Sequence, residues 1–466
     1  MQDFTLTSLL FASFVFSLLI LGGFILHFRL LNHDRILANK YLKTLKKHDL
    51  PFFYSTHAVI AESRNKFFGL PHKQEIILCR TATKSLSLSA PLIRRAIQKS
   101  PQNFALLLLD TEVSLLLNKQ ADFLHLVEQL NLPSFCPAHL KAKYLLLTAK
   151  AELYQTDMLS ASSHASRALK IYQRLGYTYE EADCYQTLAQ MYRISGVFDV
   201  AFTMLKEAKK LYKEIKLTAK IAETEAYFGL TEIGRENYKP ANEYLQSAEK
   251  ICLKHHLYQT LADICNWQGL AALLTEDLPT ALQKLTAAFN NSKTLATQSF
   301  AAEMRSRLYL KQKHYTKALK EADTALNLYR KQRHKPGIFE ALYLKAEIYY
   351  IQKNYPACRS ILTALIKEKT PPSAIYYPAN AYTLLGALEL KEHNSSQART
   401  LFKQAADLEH AQNRLKGAAL DYNNLAELER QEGSETLAKT YLEQAIRYAE
   451  EIEDEELKSY LQAKLK

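Results

Sequence analysis

Residues 266–289 read NWQGLAALLTEDLPTALQKLTAAF. They hold the only tryptophan of the chain, Trp267, a glycine inside an apolar run, and alanines at fixed intervals. A functional site is unique, whereas architecture recurs, so the question is whether these spacings return. Steps of 40 residues through Ala281 touch Ala161, Ala201 and Ala241, and a 37-residue step leads on to Ala318, Cys358, Ala398 and Ala438. Twelve residues before each stand Ala149, Ala189, Gly229, Gly269, Ser306, Ala346, Gly386 and Ala426, all small. Seven residues after each stand Ala168, Ala208, Ala248, Ala288, Ala325, Leu365, Ala405 and Ala445, small in every case but Leu365. Three columns in one register mark a repeat.

Helix packing explains the columns. Within each unit apolar residues recur at i, i+3 and i+4, the signature of two amphipathic helices. Antiparallel helices approach closely only where the facing side chains are small. Short links containing helix breakers separate them, among them RISGVFDV (193–200), GRENYKPA (234–241) and TEDLPTA (275–281). Pro240, Pro279 and Pro356 fall in the first turn of the second helix, where a missing N–H costs nothing. An aromatic residue (Phe198, Tyr238, Tyr315 or Tyr355) precedes that helix in four units.

The pattern resembles the tetratricopeptide repeat (TPR), whose consensus places an aromatic, Leu, a small residue, Tyr, Ala, an aromatic or Leu, and Ala in order. Residues 185–208 supply Tyr185, Leu188, Ala189, Tyr192, Ala201, Leu205 and Ala208; residues 382–405 supply Tyr382, Leu385, Gly386, Ala398, Phe402 and Ala405. A third unit supplies Tyr422, Leu425, Ala426, Ala438, Leu442 and Ala445. The period of 40 resembles the longer-helix TPR variants.

The six cysteines lie far apart with no C-x-x-C, which reads as buried thiols in a reducing compartment, not a disulfide framework or zinc site. Only 12 glycines and 13 prolines among 466 residues disfavour a turn-rich sheet protein. The net charge of +12 is uneven: residues 29–50 carry a local +4 and residues 427–466 a local −5, leaving +14 on 51–426. Such a body favours acidic partners or an anionic surface; equally, the bases solubilise outer helix faces.

Residues 4–26 contain no charge, and about 23 residues of helix reach about 35 Å, enough to cross a bilayer core. A cleaved signal peptide would need a basic leader, which MQD lacks. Arg29, Arg35, Lys40, Lys43, Lys46 and Lys47 follow the span, so the positive-inside rule expects a single-pass membrane protein with its N-terminus outside and its repeats cytoplasmic.

The expected fold is all-α. It is a right-handed superhelical α-solenoid of TPR-type helical hairpins preceded by one N-terminal transmembrane helix. A short tail (1–3) leads into a transmembrane helix (4–28) and a basic juxtamembrane segment and linker (29–84). Degenerate TPR-like repeats (85–137), eight TPR-like repeats (138–452) and a C-terminal capping helix (453–466) follow. AVIAE and EIILCRT, within 51–84, could be short strands.

Catalytic motifs are missing from the sequence. There is no phosphate-binding glycine loop, no H-E-x-x-H and no G-x-S-x-G, and His255–His256 are consecutive, so they do not share a helix face. The acidic EEIEDEE run lacks the alternating loop ligands of a calcium site. The reading is a non-enzyme with no cofactor and no metal.

In TPR proteins the first helix of each unit lines a concave groove. Carried over by register, the resemblance implies a partner-binding groove of Gln186, Gln190, Arg193, Asn266, Arg307, Tyr343, Glu347, Tyr350, Asn423, Glu427 and Arg430, with an apolar patch of Ala226, Leu230, Ile233 and Leu270. Trp267 is either core filler or groove edge. The clamp with which some TPR domains hold chaperone tails is missing, since Gln186/Gln190, Ala226/Leu230 and Asn266/Leu270 stand in its place. The implied function is a membrane-anchored scaffold that holds peptide segments of partner proteins. Alternatives are an organelle import-receptor-like protein and a peptide-responsive TPR regulatory sensor. Nucleic acid is disfavoured because the bases form no stripe.

Overall fold

In a computed structural model of the chain, the structure describes residues 86–465 apart from positions 100, 101, 103, 118, 156, 368–376, 412 and 413. Helices and their connecting turns make up the described residues, with no strand among them. Three helices come first: α1 (Leu86–Lys99), α2 (Phe104–Leu116) and α3 (Gln120–Gln129). Helical pairs follow: α4 (Ala138–Tyr154) with α5 (Met158–Leu175), α6 (Thr178–Ile194) with α7 (Phe198–Glu214), α8 (Thr218–Gly234) with α9 (Tyr238–Lys254), α10 (Tyr258–Leu274) with α11 (Leu278–Asn291), and α12 (Leu295–Lys311) with α13 (Tyr315–Gln332). Then come α14 (Lys335–Ile351) with α15 (Tyr355–Lys367), α16 (Tyr377–Lys391) with α17 (Ser395–Ala411), α18 (Leu415–Gln431) with α19 (Glu435–Glu451), and finally α20 (Glu455–Leu465).

The helices fall into two compact units. Of the described residues, one comprises those up to Thr148 with His164–Gln186 and Lys206–Thr218; the other comprises those of Ala149–Ser163, of Thr187–Leu205 and from Ala219 onward. In the second unit α10·α11, α12·α13, α14·α15, α16·α17 and α18·α19 pack as hairpins, and each second helix packs on the first helix of the next pair. First helices also touch one another: α10 meets α12, α12 meets α14, and α14 meets α16. One continuous surface is therefore built from first helices alone.

The small-residue columns sit where the helices meet. Ala201, Ala241, Ala281, Ala318, Cys358, Ala398 and Ala438 are fully buried. A Cβ on Gly269 would come within 2.6 Å of Leu285 Cγ, and one on Gly229 within 2.8 Å of Leu245 Cγ, so only glycine lets these pairs close. At Ser306 the column spends its polar atom locally, the hydroxyl donating to the Ala318 carbonyl at 2.7 Å. The 37-residue step has a simple cause: α11 has 14 residues where α9 has 17, so about one helical turn is missing.

The turns repeat as faithfully as the helices. After α8 the N–H of Asn237 donates to the Glu232 carbonyl at 2.9 Å, and that of Glu236 to Ile233 at 3.0 Å. Asp277 to Ala272, His314 to Tyr309, Asn354 to Tyr349 and Ser434 to Glu429 repeat the long bond at 2.8 Å. This is the Schellman closure, which requires a left-handed residue. Glycine takes that place at Gly196 and Gly433, but Glu236, Glu276, Lys313 and Lys353 occupy it elsewhere with φ between 60° and 64°.

The expectation of a single-pass membrane protein is corrected. No helix among the described residues is long and apolar enough to cross a membrane. Hairpin packing explains this, because each helix joins one small, apolar face to a polar one. The 4–28 span, the basic 29–50 segment and the strand alternative in 51–84 lie outside the described residues.

Candidate binding surface

Every groove residue expected from the sequence lies on a first helix, but their surroundings differ. On α6, Gln186 is buried, while Gln190 and Arg193 are half-buried. Asn266 on α10 is only 3% exposed. Its Nδ2 donates to the Thr297 carbonyl at 2.9 Å, tying α10 to α12. Part of the Asn266 side chain is thus already used in stacking the repeats.

The middle of the surface is acidic. Arg307 on α12 lies between Glu340, at 2.9 Å, and Glu303, at 3.4 Å. Burial opposes the Arg307 charge, yet Glu303, Glu340 and Glu347 together hold its pKa above the ordinary arginine value. Burial also raises Glu340 and Glu347. Tyr329 donates to Glu303 Oε2 at 2.8 Å. Tyr343, Glu347 and Tyr350 follow one face of α14, and the Tyr343 phenol feels Glu347, Glu340 and Arg307. Arg307, Tyr343 and Glu347 therefore form one neighbourhood. Tyr350 packs on Tyr355, with ring centroids 6.1 Å apart.

Asn423, Glu427 and Arg430 on α18 form another group, closed by the chain itself. Lys464 Nζ of α20 donates to Asn423 Oδ1 at 3.1 Å and Glu427 Oε1 at 2.8 Å, and Arg430 donates to the Lys464 carbonyl at 2.9 Å. The apolar patch divides: Ala226 and Ile233 are buried in the core of α8–α10, while Leu230 and Leu270 are half-buried against it.

This architecture has solved counterparts. The apo form of the quorum sensor NprR from B. thuringiensis matches with a TM-score of 0.50 at 12% identity, over 73% of this chain and 97% of that one. The fold is therefore that of a TPR-like helical repeat. Further similarities are to the Rap conjugation gene regulator of plasmid pLS20 in complex with the Phr* peptide (TM-score 0.48, 16% identity, 82% of this chain and 97% of that) and to yeast Tom70 (0.47, 16%, 91% and 96%). No protein-family model and no curated protein matches the sequence.

Three residues of the TPR-like surface escaped sequence reasoning: Glu223, Tyr227 and Asp263. Tyr227 and Trp267 meet across adjacent first helices as a tilted pair, with ring centroids 5.3 Å apart and planes 41° apart. Trp267, half-buried, packs on the core of α8–α10 as well, which bears out core filling. Asp263 Oδ1 accepts from Thr297 Oγ1 at 2.5 Å, and burial pushes its carboxyl up to about 6. A signal was present, because Asp183, Glu223 and Asp263 stand 40 residues apart, six before the small column.

In the other unit a fully internal ion cluster fastens three helices. Lys143 on α4 reaches Glu112 on α2 at 3.0 Å and Glu180 on α6 at 3.7 Å. Burial pushes Glu180 up to about 8 despite the lysine. Among the described residues no group of three His, Cys, Asp or Glu could hold a metal ion, and the five described cysteines are free thiols, four of them buried.

Proposed function

We propose that this TPR-like chain is a non-enzymatic adaptor that holds an extended peptide segment of a partner protein across its first helices. The observation carrying this reading is the continuous surface of α10, α12, α14 and α16. Half-buried aromatic, amide and charged side chains are concentrated on it: Trp267, Arg307, Tyr343, Glu347 and Tyr350, with Gln190, Arg193 and Tyr227 on earlier first helices. Large aromatics beside charged groups are the composition of binding hot spots, and an extended peptide has backbone groups for amides to satisfy. The self-contacts of Lys464 leave Asn423, Glu427 and Arg430 to the stacking of α20, so the contacting stretch ends before α18.

A random-peptide display library selected on the full chain tests the reading. Binders should lose affinity for an Arg193→Ala/Tyr343→Ala/Glu347→Ala variant and keep it for Lys239→Ala/Lys320→Ala, which alters exposed positions of second helices. Equal loss in both, or binders indifferent to both, contradicts a first-helix groove.

A second reading is a peptide-responsive sensor, in which ligand shifts the packing of the repeats. It is favoured by Asn266, which bridges α10 to α12 while standing at a groove position. Ligand-dependent change in hydrogen exchange at Thr297 and its neighbours would support it; exchange unchanged there would leave the adaptor alone.

A further inference from the structure

Asp263 is a half-buried carboxylate that makes no ion pair with a cation among the described residues. It accepts from the Thr297 hydroxyl, and Gln259 supports it, but the charged group acting on it is another acid, Glu223 of α8. Two cations lie nearby and are otherwise engaged: Lys220 with Glu223 at 2.8 Å, and Arg193 beside the Tyr227 phenol. Neither offsets the burial of Asp263. A buried carboxylate is ordinarily paired, because leaving water without a counter-charge is costly.

The surroundings suit a cation in kind. Tyr227 and Trp267 present a pair of rings 5.3 Å apart. Tyr154, at the end of α4, feels the charges of both Glu223 and Asp263. One turn beyond Asp263, Asn266 Oδ1 is buried with no donor, although its Nδ2 is satisfied. An acceptor without a donor and an acid without a base stand on the same face of one helix, three residues apart.

We propose that Asp263, Glu223 and the faces of Tyr227 and Trp267 form a seat for one lysine or arginine side chain of the peptide held by the first helices. The inference rests on the peptide-binding reading above and specifies its chemistry. The cation lies over the aromatic faces, where the ring quadrupole attracts it. Its N–H groups reach the Asp263 carboxylate, with an arginine fork suited to a two-point contact. A ligand N–H, from the same side chain or the adjoining backbone, supplies the donor that Asn266 Oδ1 lacks.

The test uses the full chain and an array of short random peptides, with Trp267, the only tryptophan, as an emission reporter of binding. Each captured peptide is remade with citrulline for arginine and acetyl-lysine for lysine, which keeps shape and removes charge. The seat predicts that captured peptides carry a basic residue and that neutralising it weakens binding about tenfold. It further predicts that Asp263→Asn binds charged and neutral forms alike. Glu223→Gln gives the same comparison should Asp263→Asn fail to fold. Groove-dependent peptides that bind equally well when neutralised overturn the seat and leave the groove standing. If no captured peptide depends on the first-helix residues, the groove reading fails and the seat with it.

Discussion

Tyr227 and Trp267 occupy the same position of consecutive repeats, and their ring centroids lie 5.3 Å apart. The contact shows what a 40-residue period does on this fold: residues far apart in sequence become neighbours on one face. Small residues in register close each hairpin, and larger ones in register become a surface.

Ala281 tests that register. It is completely buried where α10 meets α11. Ala281→Arg should lower unfolding free energy by about 3 kcal/mol, through overpacking and a buried charge. Gln283→Arg, at an exposed position two residues on, should change it by less than about 0.5 kcal/mol. Urea titrations of the two variants check the difference.

The left-handed turns predict the opposite sign. Glu276, Lys313 and Lys353 adopt φ of 64°, 60° and 60°. Replacing each by glycine should stabilise the chain by about 0.5–1 kcal/mol, because the Cβ penalty disappears. Gly433→Ala, at φ 77°, should cost about 1 kcal/mol. Thermal melts of the single variants decide it.

Stability should also fall as the solution becomes more basic. Burial pushes Asp421 up to about 7, from an ordinary value of 3.8, and Glu180 up to about 8, from 4.5. Between the ordinary and the raised values the folded chain holds protons that the unfolded chain has released. Stability contributed by those protons is therefore lost progressively as pH rises from the ordinary values to the raised ones, and the urea midpoint should fall between about pH 4 and about pH 8 and level off above. Asp421→Asn should flatten part of that slope, and an unchanged slope would rule out its role.

Lys464 sits against α18 through contacts with Asn423 and Glu427. Since its side chain is partly exposed, Lys464→Ala should cost no more than about 1 kcal/mol globally. Locally it should speed hydrogen exchange in α20, with little change in α10–α14.

Much of this fold was legible from residue size. Gly229, Gly269 and Ala281 announce themselves because close helix packing imposes the same demand in every repeat. The surface was only partly legible. Placing Asn266, Arg307 and Asn423 on first helices follows from register, but their bonds to Thr297, Glu340 and Lys464 depend on the next repeat, which periodicity alone does not orient. Asp263 was hidden for a related reason. An acid six residues before a small one reads as a solvated helix face, whereas Asp263 meets the Thr297 hydroxyl of the next repeat, a contact that periodicity alone does not reveal. The turns concealed Glu276 and Lys313 because glycine, the usual sign of a left-handed position, is missing there.

A peptide held on the first helices leaves its footprint there. Photo-cross-linking of a library-selected peptide, with the benzophenone placed at each position in turn and the adducts mapped by mass spectrometry, tests it most directly. Adducts are expected on α8, α10, α12 and α14, including Tyr227, Trp267 and Tyr343. Adducts confined to α9, α11, α13 and α15 would contradict it.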